Sequence, residues 1–396
     1  MRILVNASTL WKGGVVQVTS AFIREALLDE RTRDWQFAVS SVVYDNLRRL
    51  VDLRIRRFHV FDHSPARSHR ERLRVRQLAE TTHPDAVFTV FGPAYVQFPA
   101  RHLMGYANGW VTHPSRLAYK TLPSVGAALK SRLSALYARH WVRRADAWVT
   151  ECDASRQGLH RRLGLPLNRI AVVSNTCAQH YFDQAQRTDF PSQGTRVRLL
   201  CFAAAYPHKC IDIVPHTARE LARLLPQLDF EFVLTLPHDD PLWTRIRRDA
   251  HRLGVAARVT NEGPIAVADG PALYRSCHVC FMPTVLESFT ATYPEAMAMG
   301  LPIVTSDLDF AQSICQDAAA YFRPRDPVHA AEQLRCLLTS QDRWTSLVTA
   351  GKRVLAGLPR PRRKFECYLE LLERTASGLD LRGHMPPARE QAGLVA

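Results

Sequence analysis

Val279-Cys280-Phe281-Met282, followed nine residues later by Thr292-Tyr293-Pro294-Glu295-Ala296-Met297-Ala298-Met299-Gly300-Leu301-Pro302 and then Ile303-Val304-Thr305, reads as strand, loop, helix and strand. The outer runs are short and apolar, as expected of strands buried on both faces. Gly300 and Pro302 are the punctuation that stops a helix. Two strands joined through a helix predict a parallel pair. Glu287 then falls in the strand-to-helix loop and Glu295 in the first turns of the helix, at the sheet edge where open α/β folds bind ligands.

The same alternation extends in both directions. Downstream of residue 196, strands are expected at Arg198 to Ala203, Phe230 to Leu236 and Arg258 to Thr260, with helices at Ile211 to Leu225 and Pro241 to Leu253. Upstream, strand candidates are Ile3 to Val5, Gln36 to Val43, Ala86 to Phe91, His102 to Tyr106, Ala147 to Thr150 and Ile170 to Val173. Glycines Gly13 and Gly14 form a turn between the first strand and a helix from Val15 to Leu28. The expected organisation is an N-terminal Rossmann-like domain over 1–180, a polar linker over 181–196 and a second Rossmann-like domain over 197–357. A helical segment over 358–377 and a tail over 378–396, rich in Pro, Gly and charge, follow. At 396 residues the chain has room for two or three domains.

Composition narrows the partners. Apolar residues are 46% and charged residues 22%, which argues against a disordered or fibrous chain. The 52 basic and 37 acidic residues give +15, and an anionic partner is expected. The excess is uneven: residues 1–180 carry 27 basic and 13 acidic side chains, residues 181–396 carry 25 and 24. Nine scattered cysteines argue against a disulfide framework and for a reduced, cytoplasmic protein. No apolar run reaches the roughly 18 residues of a membrane span, and Met1-Arg2-Ile3-Leu4-Val5 lacks the pattern of a secretory signal.

Two isolated glutamates at a helix start are ordinarily just charges favoured by the helix dipole. Here the surrounding run, from Glu287-Ser288-Phe289-Thr290-Ala291 through Glu295, resembles the Glu-x7-Glu signature of retaining glycosyltransferases of family 4, which adopt the GT-B fold. Upstream, Gly263-Pro264-Ile265 and Ala272-Leu273-Tyr274-Arg275-Ser276-Cys277-His278-Val279 resemble that family's glycine turn and helix-strand. Downstream, Gly300-Leu301-Pro302-Ile303-Val304-Thr305-Ser306-Asp307 resembles its following strand. The likeness is continuous from Gly263 to Asp307.

The resemblance implies an α/β GT-B protein, two doubly wound Rossmann-like domains facing each other across a cleft. It implies that Glu287 contacts the donor sugar and Glu295 the ribose. The backbone around Ser288, Phe289, Thr290 and Ala291 would hold the diphosphate, with Gly263 and Ile265 near the base. Lys209, in Tyr206-Pro207-His208-Lys209, matches the diphosphate lysine, and its ammonium would neutralise the leaving phosphate. Gly13 and Gly14 match the family's N-domain glycine loop, where absent side chains let a ligand approach the backbone. Catalytic roles thus fall to Glu287 and Lys209.

Two positions depart from the family pattern. Ala203 stands where the family usually carries an arginine, and His208 is the candidate for part of the missing clamp. The loop Tyr106-Ala107-Asn108-Gly109-Trp110-Val111-Thr112-His113 lacks the usual histidine, leaving Asn108, Trp110 and His113 as acceptor-side candidates. Cys277-x-x-Cys280 has metal-like spacing but falls in a strand without a second pair, so a core role is expected. Asp307-Leu308-Asp309 reads as a turn with a helix cap; no metal is expected.

The resulting expectation is a metal-independent hexosyltransferase that uses a UDP- or GDP-linked sugar as co-substrate and needs no other cofactor. It would transfer to a hydroxyl of a glycan or lipid-linked acceptor in bacterial surface polysaccharide assembly, such as that of lipopolysaccharide. The basic first half, with eight arginines over 54–76 and five basic residues over Lys130 to Arg144, suggests peripheral contact with the inner face of the membrane. The stretch Lys130 to Arg144 reads as a basic amphipathic helix, and its competing reading is a solvated helix packed on its own domain. The rival for the whole protein is a catalytically degenerate scaffold, or a protein that binds anionic surfaces or nucleic acid. No aromatic-interleaved reader motif supports nucleic acid.

Overall fold

The computed structural model describes residues 1–49, 51, 57–184 and 189–381. Arg54 and Arg56, part of the expected linker and residues 382–396 of the expected tail lie outside the described residues. The chain forms two compact units. The first comprises Met1–His113, Leu129–Asn175 and residues from Pro359 onward; the second comprises Pro114–Ala128 and Thr176–Leu358.

The first unit is built on seven strands: β1 (Ile3–Ala7), β2 (Gln36–Ser40), β3 (Phe58–Phe61), β4 (Ala86–Thr89), β5 (Arg101–Gly105), β6 (Ala147–Thr150) and β7 (Ile170–Val172). All are parallel, in the order β3-β2-β1-β4-β5-β6-β7. The chain leaves β1 in one direction along the sheet and returns to β4 on its other side, so the switch point lies beyond the carboxyl ends of β1 and β4. The helix Gly14–Leu28 buries Phe22, Ile23 and Ala26 against the sheet. The helix Pro361–Ala376 contributes Phe365 and Tyr368 to the same core, their rings 5.6 and 5.4 Å from that of Phe22. Its Lys364 is buried too, donating to the Asn175 side-chain oxygen at 2.6 Å, and burial lowers its pKa to about 8 although Glu151 opposes the shift.

The second unit has six parallel strands, β8 (Val197–Cys201), β9 (Phe230–Leu234), β10 (Val259–Asn261), β11 (Val279–Met282), β12 (Ile303–Ser306) and β13 (Ala319–Phe322). Their order is β10-β9-β8-β11-β12-β13, which puts the switch point beyond β8 and β11. Phe230, Phe232, Phe281 and Phe322 run ring against ring through the sheet core, edge-on between the first three and stacked between Phe281 and Phe322. The expected α/β architecture of two Rossmann-like units is the one observed.

Three local readings change. The strand expected over Gln36 to Val43 stops at Ser40, whose hydroxyl accepts the Val43 amide and caps the helix Ser41–Leu47. β3 emerges from a run read only as basic, because Phe37 and Phe58 stack at 5.0 Å across the β2–β3 pair. β13 contains Ala319-Ala320, residues that favour helix. Pairing with β12, Ile303 opposite Ala319, overrides that preference.

Candidate functional site

The loops that leave β8 and β11 meet at the switch point of the second unit. The first carries Tyr206-Pro207-His208-Lys209 through a short turn, closed by the Lys209 amide donating to the Tyr206 carbonyl at 2.9 Å. The second is stitched to it: the Val285 amide donates to the His208 carbonyl at 2.8 Å, and the Thr284 hydroxyl oxygen lies 3.2 Å from the same carbonyl. These bonds fix Lys209 opposite Glu287. The ammonium donates to Glu287 Oε1, and the Thr284 hydroxyl donates to the same oxygen at 2.9 Å.

Both charged side chains are largely buried. Their pairing offsets desolvation that neither would tolerate alone. An ammonium has three donors, and the contact with Glu287 engages one. Behind the turn, Arg325 grips Asp212 through two bonds of 3.2 and 3.0 Å, bracing the chain just after Lys209. The His208 ring stacks on Tyr206 at 5.6 Å, and burial lowers its pKa, with Lys209 acting the same way and Glu287 opposing. The lowered pKa favours the neutral, hydrogen-bonding form of the His208 ring. Ala203 itself packs on the core of the unit.

Glu295 sits in the first turn of the helix Thr292–Ala298 and has different surroundings. Part of the side chain remains accessible, but the carboxyl is enclosed, and burial raises its pKa to about 7. The Tyr274 hydroxyl donates to it at 2.9 Å and works against that rise. Tyr274 is itself held far above its ordinary pKa, chiefly by burial, and so stays a donor. Among the described residues no cationic side chain forms an ion pair with Glu295. An enclosed acid without a counter-charge costs stability, a pattern concentrated at functional sites. This cluster also touches the β8 loop: the Thr292 hydroxyl donates to the Phe202 carbonyl at 3.3 Å, and Phe202 meets the Tyr274 ring at 5.7 Å.

Ser288, Phe289 and Ala291 are half-buried and Thr290 is buried in the turn between Glu287 and that helix. Gly263 follows β10, two strands from β8 in the sheet. Its φ of +78° suits glycine, and a Cβ there would lie 2.6 Å from His238 Nε2. Ile265 is half-buried in the same loop.

In the first unit, Gly13 and Gly14 follow β1 at that unit's own switch point. Gly13 has φ +78°, and a Cβ at either glycine would meet nothing within 4 Å, so the backbone there is open to approach. The loop after β5 is different. Asn108 accepts the Trp110 amide at 3.0 Å as the cap of the turn Gly109–Thr112, and His113 Nδ1 pairs with the Thr112 hydroxyl at 2.8 Å. Trp110 is half-buried on the same turn. These bonds organise the turn itself.

Thr284 has no sequence signal beyond its place two residues after a strand. Tyr274 stands inside a helix-strand motif in which nothing marks its hydroxyl, and the Arg325–Asp212 brace joins residues 113 apart in the chain, beyond any local pattern. Among the described residues, no group of three or more His, Cys, Asp or Glu is arranged to hold a metal ion.

Residues 196–340 match the family model described as glycosyl transferases group 1. A D-inositol 3-phosphate glycosyltransferase of Salinispora tropica is 26% identical over 198 residues, 48% of this chain and 40% of that protein; the likeness therefore spans less than half of the relative's length. A glycosyltransferase from Rickettsia africae superimposes with a TM-score of 0.68 at 15% identity, covering 94% of this chain and 98% of the other. Anabaena HepE, solved with UDP and glucose, gives 0.68 at 14% identity, covering 94% and 99%. Sucrose-phosphate synthase from Thermosynechococcus elongatus gives 0.69 at 14% identity, covering 95% and 99%. At these identities the structural likeness speaks for the fold, and the fold is GT-B; the sequence likeness to group 1 glycosyltransferases is carried by the second unit.

Proposed function

We propose that the protein is a retaining glycosyltransferase that takes its sugar from a nucleoside-diphosphate donor seated on the second unit. The observation that carries this reading is the meeting of Lys209 and Glu287 beyond β8 and β11, the edge at which a doubly wound sheet binds its ligand. In this reading the diphosphate lies against the turn Ser288 to Ala291, and Lys209 offsets the charge that grows on the leaving phosphate. Glu287, held by Lys209 and Thr284, accepts hydroxyl hydrogen bonds from the donor sugar, and Glu295 accepts those of the ribose. Gly263 and Ile265 border the base. The retaining course is front-face attack, with the acceptor proton passing to the leaving phosphate and no protein nucleophile required.

UDP is the first donor base to test, because HepE of this fold was solved with UDP and glucose; GDP is the second. The glycine turn at Gly13 and Gly14 faces either donor phosphate or acceptor in this reading. The acceptor is a hydroxyl of a glycan or lipid-linked sugar in surface polysaccharide assembly, a choice supported by the basic excess of residues 1–180. Ala203 and the missing loop histidine favour a degenerate scaffold instead; the intact Lys209, Glu287 and Glu295 set opposes that. Release of nucleotide from UDP-, GDP- and dTDP-sugars tests the proposal: turnover with one donor that falls at least 100-fold in Lys209→Ala is expected. Absence of turnover and of nucleotide binding across the set would overturn it.

A further inference from the structure

Tyr206 is 45% exposed on the loop that leaves β8, in the same turn as Lys209. A single exposed aromatic ring is ordinary on a protein surface. This one stands at the carboxyl edge of the sheet, where a doubly wound fold takes its ligand. Its backbone belongs to the construction there. The Tyr206 amide donates to the Ala204 carbonyl at 2.7 Å, and the Tyr206 carbonyl accepts the Lys209 amide at 2.9 Å. Pro207, with its fixed φ, opens the turn between them. The turn ties the Tyr206 backbone to that of Lys209.

The Tyr206 ring is parallel to that of His208, with 6° between the planes and 5.6 Å between centroids. Rings in face contact are separated by about 3.5 Å, so the two are offset by about 4 Å and form a step in which His208 covers only the margin of Tyr206. The inner end of that step adjoins the ion pair. The His208 carbonyl accepts the Val285 amide from the loop that carries Glu287, and the charges of Glu287 and Lys209 both act on the His208 ring. A hexose has two kinds of surface: hydroxyls, which suit carboxylates, and a face of ring C–H groups, which suits the electron-rich face of an aromatic ring. Glu287 serves the first and the Tyr206 step serves the second, the mixture of few polar groups and aromatic surface that small-ligand sites use.

We propose that Tyr206 is a sugar-contacting residue: the C–H face of the donor's hexose packs on its ring beside His208, while Glu287 holds hydroxyls of the same sugar. The inference rests on the proposed donor site and adds to it the residue that tells a nucleotide sugar from its bare nucleotide.

The test is calorimetric titration of wild type, Tyr206→Ala and Tyr206→Phe with UDP, UDP-glucose, UDP-galactose and UDP-N-acetylglucosamine, and with GDP and GDP-mannose. For the nucleotide sugar that wild type binds best, the ratio of its affinity to that of its own nucleotide should fall about fivefold or more in Tyr206→Ala, the worth of one aromatic face contact. In Tyr206→Phe that ratio should stay within twofold of wild type, because the ring face and not the hydroxyl makes the contact. Affinity for the bare nucleotide and the melting temperature should match wild type in both variants. Equal weakening of nucleotide and nucleotide sugar in Tyr206→Ala would mean that the residue only shapes the Lys209 turn, and no change in either would mean that the ring is idle. Each of these results, or a wild type that binds nucleotide but none of the sugar forms, would overturn the inference and leave the nucleotide site standing. A wild type that binds none of the six compounds would overturn the donor site and this inference together.

Discussion

The two units are built on one topology, yet their switch points are furnished differently. Beyond β8 and β11, an ion pair, an enclosed acid and two hydroxyl donors are held close together by bonds between and within loops, an arrangement that in the proposed reading serves charge and sugar chemistry. Beyond β1 the first unit offers bare glycine backbone, and Asn108 and His113 engage bonds of their own turn. The second unit presents fixed side chains and the first presents accessible backbone. In the proposed reading the former suits a unit that orients a constant diphosphate, and the latter a unit that admits a variable acceptor.

The largest test of that contrast is Lys209. Lys209→Ala should lower nucleotide release from the donor by about 10²–10³-fold, the usual consequence of losing one group aimed at developing charge. It also strands Glu287, so the double variant Lys209→Met with Glu287→Gln should recover the melting temperature without recovering turnover. Recovery of both would make the pair structural.

Glu295 comes next. Between the ordinary carboxyl pKa of 4.5 and its folded value of about 7 the native state holds more protons than the unfolded one, so this group's contribution to stability declines as pH rises through that window. Glu295→Gln should therefore stabilise the fold at pH 8 by up to about 3 kcal/mol, from 1.36 kcal/mol per pKa unit. That gain should vanish near pH 4. The same variant should weaken nucleotide binding about tenfold, and wild-type affinity should rise with pH through 7 as the carboxylate forms. Thermal melts and nucleotide titrations at matched pH values check both; a pH-independent stability difference would remove the enclosed acid from the account.

Smaller effects belong to the first unit. Gly13→Ala forces a Cβ into a left-handed backbone and should cost about 1–2 kcal/mol, with no clash to add because the surroundings are open. Asn108→Ala should cost about 1 kcal/mol as a lost helix cap and leave the KM for acceptor within twofold. A large rise in KM at unchanged stability would move Asn108 from the turn to the acceptor site.

Much of this was legible in the sequence for identifiable reasons. Parallel strands buried on both faces leave uninterrupted apolar runs, so Val279–Met282 could be read directly, and Gly300 with Pro302 marked the end of its helix. Lys209 and Glu287 stand out only through a resemblance; their contact depends on the His208 carbonyl accepting the Val285 amide of another loop, and no local pattern encodes that. β13 was hidden because alanines acquire strand geometry only by pairing with β12. The outward leucines of Val125–Val142 have the spacing of a packed helix, and only the fold reveals which face is turned to solvent.

In the proposed reading Lys209 engages the diphosphate of a donor at the β8–β11 edge. Its most direct test is the affinity of wild type and Lys209→Met for a nucleoside diphosphate and for the matching monophosphate, beginning with UDP and UMP. Wild type is expected to prefer the diphosphate at least tenfold, and Lys209→Met, still folded, to lose most of that preference while binding the monophosphate as before. An unchanged preference in the variant, or no preference in wild type for any base, would contradict it.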